Sequence, residues 1–218
     1  MTGAAQDEVD AAPLLQVKAL QFAYPGEPPL FAGWNAAIGP GLTLLHGDTG
    51  SGKSTLLRLL AGGAAPQHGE LLVGAVALAA DAAAYRRRVF HVDPSTDEFD
   101  ALAVADCTAA LKAGDEGFDE SAWQALVEGF SLAPHLGKSM FMLSTGSKRK
   151  VWLAAALASS RPLLLLDEPT AALDTGSIRC LWRALEAKAR AARQAVVVAS
   201  YERPEGLSLA QIIELPAR

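Results

Sequence analysis

Cysteine is scarce in this chain, which contains Cys107 and Cys180 and no other copy among its 218 residues. The two cysteines lie far apart and form no C-x-x-C pair or Cys/His cluster. The sequence therefore indicates neither a disulfide framework nor a zinc site. A reducing compartment such as the cytosol suits this composition.

Positive charge is also limited, because 19 Lys and Arg residues stand against 24 Asp and Glu residues and give a net charge of -5. This balance argues against nucleic acid or an anionic lipid surface as the main partner. The one dense basic cluster is formed by Lys148, Arg149 and Lys150. We interpret it as the solvated face of a helix.

Long apolar segments are absent as well. No run of about eighteen uncharged apolar residues occurs, since the alanine-rich stretch after Ala75 is broken by Asp81 and the run at residues 163–166 has only the length of a strand. Residues 1–13 contain acidic side chains but no basic residue and no apolar core, which is unlike a secretory signal and predicts a frayed tail. We therefore expect a soluble chain.

Apolar runs of strand length alternate with helical spacing over residues 14–218, which predicts a single α/β domain, a sandwich with a mostly parallel central sheet. Predicted strands cover residues 15–22, 31–38, 42–45, 70–73, 89–92, 163–166, 195–199 and, at an edge, 211–215. Predicted helices cover residues 53–61 and 148–158 and the apolar stripe of Ile178, Leu181, Trp182 and Leu185. Helical spacing broken by glycine and proline over residues 94–145 predicts a small helical lobe.

The strongest motif is GDTGSGKS at residues 47–54, which matches G-x-x-x-x-G-K-S/T between a predicted strand and a predicted helix. Its glycines let backbone N–H groups point at a polyphosphate, Lys53 brings positive charge to the β and γ phosphates, and Ser54 can bind Mg²⁺. The helix dipole adds to this attraction. We predict that a nucleoside triphosphate is bound by Gly47, Asp48, Thr49, Gly50, Ser51, Gly52, Lys53, Ser54 and Thr55.

Two carboxylates, Asp167 and Glu168, follow the leucine run at residues 163–166. The carboxyl ends of parallel strands form the ligand crevice of such a sheet. Asp167 can hold Mg²⁺ through water, and Glu168 can orient or deprotonate the water that attacks the γ-phosphate. A helix start or a turn is the alternative explanation, which the phosphate loop upstream disfavours.

A second anion site is predicted at the segment LSTGS, residues 143–147, directly before the helix that we predict to begin at Lys148. Ser144, the free N–H groups of that helix and its dipole would all face the same way. A helix N-cap with a glycine hinge explains the segment equally well when it is taken alone. The order of the three motifs along the chain favours the anion site.

Taken together with Ala171-Ala172-Leu173-Asp174, these motifs resemble the nucleotide-binding subunit of ATP-binding cassette (ABC) proteins over residues 15–215. The resemblance implies a P-loop NTPase fold with an antiparallel β portion, ATPase activity, and ATP and Mg²⁺ as cofactors. By this resemblance Lys53 and Ser54 bind phosphate and Mg²⁺, Asp167 is the metal-associated aspartate, Glu168 is the catalytic base and Asp174 ends the D-loop. Tyr24 would stack on adenine, although a turn tyrosine partly covered by Pro25 is the alternative.

The resemblance also implies a head-to-tail dimer of like or unlike chains, in which Ser144 and Gly146 of one chain close over ATP bound to the other. A separate transmembrane permease would be the further partner and would dock near Asp93 and the helical lobe. The chain would then be cytoplasmic and would lie at the inner face of the membrane only through that permease. Nucleic acid is not expected as a partner.

Three places depart from the family pattern. Thr145 and Ser147 replace glycine and glutamine, a mild change because Ser144 and Gly146 are kept. Asp93 replaces the Q-loop glutamine, and it either ligates Mg²⁺ or repels the γ-phosphate, or equally well starts a turn or caps a helix.

Tyr201 is the third departure, since it stands where the family has its switch histidine. Tyrosine can donate one hydrogen bond but cannot become cationic near neutral pH. We therefore expect slow intrinsic hydrolysis with near-normal ATP binding, with Lys53, Asp93, Glu168 and Tyr201 as the residues that govern it.

The leading functional hypothesis is the motor subunit of a membrane transporter, in which ATP closes a dimer and hydrolysis reopens it. The alternative is an ATP-dependent clamp or regulatory switch that closes without transport, which the missing histidine favours. The single compact cassette, the acidic balance and the lack of a coiled-coil insertion argue against that alternative. A small-molecule phosphotransferase is disfavoured because Glu168 and the second anion site suit hydrolysis in a dimer.

Overall fold

The computed structural model describes residues 13–204 and 206–216, so nearly all of the tail predicted for residues 1–13 lies outside the described part of the chain. The described residues form two sheets and a set of helices. The strands are β1 (Leu15–Phe22), β2 (Phe31–Ile38), β3 (Gly41–His46), β4 (His68–Val73), β5 (Val76–Ala77), β6 (Val89–His91), β7 (Leu163–Asp167), β8 (Ala195–Ser200) and β9 (Gln211–Glu214). The helices are α1 (Lys53–Leu60), α2 (Ala82–Arg87), α3 (Val104–Lys112), α4 (Glu120–Gly129), α5 (Thr145–Ala158) and α6 (Thr175–Ala191).

The central sheet is parallel and has the strand order β6-β7-β8-β3-β9, with β9 at one edge as predicted. Its ladder sets Asp167 opposite Ala199, and His46 opposite both Ser200 and Glu214. The carboxyl ends of four strands therefore meet at one edge of the sheet, which is where a parallel sheet binds ligands. The second sheet is antiparallel, in the order β2-β1-β4-β5, and supplies the predicted antiparallel portion.

Two apolar cores lie on opposite faces of the parallel sheet. Along β7, Leu163 and Leu165 pack with the antiparallel sheet and α1, whereas Leu164 and Leu166 pack with α3 to α6. This division follows from the period of two in side-chain direction along a strand. A strand with both faces covered must be apolar throughout, which explains the run of four leucines.

The segment between β6 and α5 is helical, with α3, α4 and two short 3₁₀ turns at Ala133–His135 and Met140–Met142. Trp123, Leu126, Val127 and Phe130 are buried, as their helical spacing predicts. Their core is continuous with α5, α6 and the parallel sheet. The segment is therefore anchored on the face of the sheet that carries α5.

Three details differ from the sequence prediction. Helix α5 begins at Thr145 rather than at Lys148, because Ser144 caps it by accepting a hydrogen bond from the Ser147 N–H at 3.2 Å. Helix α2 was not predicted. The Asp81 carboxylate caps it by accepting from the Ala84 N–H at 2.8 Å, so the residue that interrupts the apolar run also begins a helix.

The short strand β5 was also missed, since two residues are too few to show a period. None of the helices in the described ranges combines the length and the apolar character that crossing a bilayer would require.

Candidate functional site

The phosphate loop occupies residues 47–52, between the end of β3 and the start of α1. Gly50 and Gly52 have φ angles of 84° and 98°, a left-handed conformation that other residues rarely adopt. A side chain on Gly52 would also lie 3.0 Å from a methyl group of Leu30. The glycines at these two positions are therefore required by the backbone path of the loop.

Lys53 is buried at the mouth of this loop. Its ammonium group donates to the carbonyl of Gly47 at 2.7 Å and to the carbonyl of Asp48 at 3.1 Å. Its Nζ atom also lies 3.6 Å from Oε1 of Glu168. This arrangement holds a positive charge between the loop and the end of β7, where a polyphosphate would need it.

Glu168 follows β7 in a strained conformation with a φ of 40°. Its N–H donates to the carbonyl of Ala199 at 2.9 Å, and its carboxylate accepts from the N–H of Tyr201 at 3.1 Å. Arg149 on α5 donates to the carbonyl of Glu168 and, at 3.3 Å, to that of Asp167. A hydrogen bond donated to β8 and another accepted from α5 therefore fix the backbone of Glu168, the residue predicted to be the base.

Tyr201 takes part in the site through its backbone. Its side chain is 58% exposed, and the carboxylate of the neighbouring Glu202 raises the pKa of its phenol. The phenol therefore stays neutral at physiological pH, while the N–H of Tyr201 supplies the hydrogen bond to Glu168. The prediction from the sequence concerned only the phenol of Tyr201, whereas this contact is made by the backbone.

A cleft of about 640 Å³ opens above the loop, and we call it the nucleotide cleft. The predicted site residues that line it are Tyr24, Thr49, Gly50, Gly52, Lys53, Ser54, Thr55, Glu168 and Tyr201. Its size is that of pockets which bury a small organic ligand. The structure therefore brings most of the predicted ATP-binding residues together at one concave surface.

Tyr24 stands at the rim of the nucleotide cleft with its ring 42% exposed. Its hydroxyl shares a hydrogen bond of 2.8 Å with the hydroxyl of Thr55 in α1. The Tyr24 ring also packs edge-to-face against Phe22, with 5.1 Å between the ring centroids, and this contact supports it from one side. The partly exposed ring therefore lies beside the cleft, where it was predicted to stack on adenine.

Ser54 and Asp167 were predicted to hold Mg²⁺. Ser54 is exposed in the nucleotide cleft in the first turn of α1, and α1 packs against β7, which ends at Asp167. Oδ1 of Asp167 is buried and accepts no hydrogen bond from the described part of the protein. A hydroxyl and a carboxylate oxygen suit Mg²⁺, which takes few protein ligands and completes its shell with water and phosphate. These residues therefore fit the ion.

Asp93 forms a turn, which was one of the two roles predicted for it; the other was contact with Mg²⁺ or the γ-phosphate. Its Oδ1 atom accepts from the N–H and the hydroxyl of Ser95, at 2.9 and 2.6 Å, and its Oδ2 atom lies 3.5 Å from Arg58. Burial alone would raise its pKa, but the Ser95 hydrogen bonds and the Arg58 charge outweigh burial and lower the pKa. Asp93 is not among the residues that line the nucleotide cleft.

The predicted second anion site, residues 143–147, lies apart from the nucleotide cleft of the same chain, since neither Ser144 nor Gly146 lines that cleft. A side chain at Gly146 would place its Cβ 2.3 Å from the carbonyl oxygen of Ala172, which itself has a φ of 61°. Glycine is therefore needed where α5 meets the segment after Glu168. Thr145 and Ser147 occupy the N-terminal turn of α5 without disturbing it.

The basic cluster is not the solvated helix face that we predicted. Lys148 forms an ion pair with Asp100, and Lys150 forms one with Asp174 at 2.6 Å. Between them, Arg149 reaches the carbonyls that follow β7. The two lysines therefore form ion pairs with acidic residues that are distant in the sequence, and the local charge pattern could not show these partners.

Asp174 caps α6 by accepting from the Ser177 N–H at 2.8 Å. The hydrogen bonds from Lys150 and Ser177 hold the pKa of the Asp174 carboxyl far below its usual range. The carboxylate that ends the predicted D-loop is therefore ionised and tied to α5.

Two residues make contacts at this site that were not predicted from the sequence. One is Arg149, described above. The other is His46, which lies between β8 and β9 and contacts the backbone of Tyr201 at 3.2 Å. The available signal for His46 was its position at the end of a buried strand, the same kind of position that identified Asp167.

Comparisons with known proteins agree with this geometry. A family model described as ABC transporter matches residues 35–171. The cytochrome c biogenesis ATP-binding export protein CcmA of Rhodospirillum rubrum is 41% identical over 178 residues, which cover 81% of this chain and 76% of that protein. The cobalt import ATP-binding protein CbiO of Rhodobacter capsulatus is 34% identical over 213 residues, which cover 93% of this chain and 75% of that protein.

Solved structures show the same fold at lower identity. A structure described as an ATP-binding subunit of an ABC transporter superimposes with a TM-score of 0.76 at 22% identity, covering 86% of this chain and 79% of the other. CbiO1 of Clostridium perfringens, described as part of the transporter complex cbiONQ, gives a TM-score of 0.65 at 23% identity and covers 88% and 79% of the two chains.

The phosphate loop, the carboxylates after β7, the family match and the identity to curated relatives lead to one conclusion. The chain belongs to the ABC transporter family, as an ATP-binding subunit with ATPase activity.

Proposed function

We propose that this chain is the ATPase subunit of a transporter in which two such subunits bind ATP between them and thereby move a separate permease. The observation that carries the proposal is that Ser144 and Gly146, at the second predicted anion site, do not line the nucleotide cleft that holds Lys53. A head-to-tail pair of chains would bring the second site of one subunit over the cleft of the other. ATP would then be part of the interface.

For hydrolysis, we assign the role of base to Glu168 and that of phosphate ligand to Lys53. The strained backbone of Glu168 is held by hydrogen bonds from Arg149 and to Ala199, as befits a group that must keep one orientation relative to the attacking water. When bound through Ser54 and Asp167, Mg²⁺ would neutralise charge on the phosphates. Tyr24 would stack on the base of the nucleotide.

We further propose that intrinsic hydrolysis is slow. The Tyr201 phenol is neutral and exposed, so it offers the γ-phosphate no positive charge where the family pattern has a histidine. Asp93 is engaged by Ser95 and Arg58, which supports a structural role for it. ATP binding should be close to normal because the loop and Lys53 are intact.

The permease would dock on the helical segment at residues 94–145, which we treat as a subdomain of a single domain spanning residues 14–218. Phe141 and Met142, just before the second anion site, are 64% and 63% exposed. Adjacent exposed apolar side chains mark interaction surfaces. Through such a partner the chain would lie at the inner face of a membrane, in the cytoplasm.

The relatives do not favour one direction of transport. One is named for export in cytochrome c biogenesis and another for import of cobalt. We therefore propose no cargo and no direction for this chain.

The test is ATP-dependent dimerisation. Light scattering should show a monomer that becomes a dimer in MgATP when Glu168→Gln blocks hydrolysis, and the added variant Lys53→Ala should abolish the shift. A Glu168→Gln protein that stays monomeric in saturating MgATP would contradict the proposal.

A further inference from the structure

His46 is the last residue of β3, directly before the phosphate loop. In the parallel sheet it pairs with Ser200 at the end of β8 and with Glu214 at the end of β9. The rest of β3 is buried, whereas the His46 side chain is 23% exposed at the edge of the sheet. An imidazole therefore stands between two strand ends that lead to different parts of the site.

Both ring nitrogens of His46 have partners. Nδ1 lies 2.7 Å from Oε2 of Glu214, and Nε2 lies 3.2 Å from the carbonyl oxygen of Tyr201. Glu214 is also paired with Arg203. The hydrogen bond from His46 lowers the pKa of the Glu214 carboxyl, so Glu214 is an ionised acceptor at neutral pH.

Both partners of the His46 ring can only accept hydrogen bonds. A carboxylate and a carbonyl have no proton to donate, whereas a neutral imidazole has one N–H and one lone pair. Only the imidazolium form donates to Glu214 and to Tyr201 at the same time. A neutral His46 would lose one of the two bonds and would set a lone pair against an oxygen.

The Tyr201 backbone transmits this contact to the reacting carboxylate. Its carbonyl accepts from His46, while its N–H donates to Oε1 of Glu168 at 3.1 Å. The same oxygen of Glu168 lies 3.6 Å from Lys53. A shift of the Tyr201 backbone would therefore change the orientation of Glu168 relative to a bound phosphate.

We propose that protonated His46 is a positioning residue for ATP hydrolysis, which holds the Tyr201 backbone and through it the carboxylate of Glu168. This inference rests on the proposed role of Glu168 as the base. His46 does not line the nucleotide cleft, so it acts on the rate of hydrolysis rather than on ATP affinity. In this chain it steadies the position at which the family has its switch histidine.

Charged groups surround His46 on both neighbouring strands. Glu214 on β9 is its ion-pair partner, and Arg203, which follows β8, is paired with the same carboxylate. Glu202 and the Tyr201 phenol lie in the same segment as Arg203, and Asp48 is two residues along the chain. The ring is therefore anchored to a carboxylate that Arg203 also holds.

The experiment measures kcat and KM for wild type, His46→Gln and His68→Gln. His46→Gln should lower kcat about threefold to tenfold and leave KM for MgATP unchanged, as expected for a residue that positions the base without touching the nucleotide. His68→Gln is the matched control, because His68 is an exposed histidine outside the site, and it should behave as wild type. A His46→Gln protein with the kcat of wild type, or one that changes KM and not kcat, overturns the inference.

A second measurement uses only the wild-type protein. Nitrogen-15 NMR of its histidines should show that both ring nitrogens of His46 carry a proton and donate hydrogen bonds. A His46 ring with one unprotonated nitrogen overturns the proposal.

The two proposals fail in different ways. Normal turnover by Glu168→Gln would remove the base and would contradict the proposed function. An inactive Glu168→Gln together with an unaffected His46→Gln would contradict only the positioning role.

Discussion

Oε1 of Glu168 lies 3.6 Å from the ammonium group of Lys53 and accepts a hydrogen bond of 3.1 Å from the N–H of Tyr201. One carboxylate oxygen thus contacts both the phosphate loop and the end of β8. Lys53 is shared between Glu168 and the carbonyls of Gly47 and Asp48. A phosphate that enters the cleft would compete with Glu168 for the ammonium group of Lys53. The Glu168 carboxylate would then be available to a water molecule.

The first prediction concerns Glu168→Gln. The amide keeps the shape of the side chain but cannot take a proton from water, so kcat should fall by about 100-fold or more. ATP affinity should stay within about threefold of wild type because Lys53 keeps its contacts with the loop. Phosphate release and equilibrium binding of a fluorescent ATP analogue measure the two effects. Normal turnover would remove Glu168 from the role of base.

The second prediction separates the backbone of Tyr201 from its side chain. Tyr201→Phe should leave turnover close to that of wild type, because the N–H that contacts Glu168 remains. Tyr201→His should raise turnover about threefold or more, since an imidazole can present a positive charge to the γ-phosphate. Steady-state phosphate release compares the two variants. If Tyr201→Phe lowers turnover while Tyr201→His leaves it unchanged, the phenol itself is required and our account of this position fails.

The third prediction concerns Asp93 and its turn. Asp93→Asn keeps an oxygen that can accept from Ser95, whereas Asp93→Ala removes it and should cost about 1 kcal/mol in the free energy of unfolding. Because hydrogen bonds lower the pKa of Asp93 in the folded state, its contribution is present above its unfolded pKa and is lost as the pH falls through the lower folded pKa. Urea titrations of wild type and Asp93→Ala should therefore converge in strong acid.

A further substitution at this position, Asp93→Gln, tests the family pattern directly. The longer Gln side chain should not accept from the Ser95 N–H as the Asp93 carboxylate does, but it restores a neutral amide at this position. Higher turnover in Asp93→Gln than in Asp93→Asn would show that the length of the amide matters for hydrolysis. Equal turnover in the two variants would confine Asp93 to its turn.

The fourth prediction concerns Gly146. A methyl group there would lie 2.3 Å from the Ala172 carbonyl, which is too close, so Gly146→Ala should move α5 away from the segment after Glu168. Thermal unfolding should show a loss of about 1–3 kcal/mol. Gly137→Ala is the matched control, since nothing lies within 4 Å of its new methyl group. Equal stability of the two variants would contradict the close packing of Gly146.

The predictability of the fold and the site can be judged from particular residues. The four leucines of β7 and the G-x-x-x-x-G-K-S/T run follow from local chemistry, because a buried strand must be apolar and a phosphate loop must contain glycine. The partners of Arg149 and His46 could not be predicted in the same way. Glu214 is 168 residues from His46 along the chain, and only the order of strands in the sheet brings the two together.

The basic cluster shows the same limit in another form. Lys148, Arg149 and Lys150 follow one another on α5, and such a run is usually solvated. Asp100 and Asp174, which neutralise the two lysines, come from segments on either side of α5 in the sequence. Local charge therefore predicted the helix but not its contacts.

The last prediction concerns Arg149, which joins α5 to the end of β7. Its guanidinium donates to the carbonyls of Asp167 and Glu168, and Glu168 holds a strained φ of 40°. Arg149→Met keeps the apolar bulk but leaves both carbonyls without this donor, so the backbone of Glu168 should relax. We expect a loss of about 1–3 kcal/mol in the free energy of unfolding and a fall in kcat of about tenfold with little change in KM.

Lys150→Met is the matched control for Arg149→Met, because it removes the neighbouring charge and breaks only the ion pair with Asp174. An ion pair of this kind contributes less than about 1 kcal/mol, and it has no contact with the carbonyls after β7. Steady-state kinetics and urea unfolding of both variants decide the matter. Equal losses of kcat in the two variants would mean that the charge of α5, rather than the hold of Arg149 on the Glu168 backbone, supports hydrolysis.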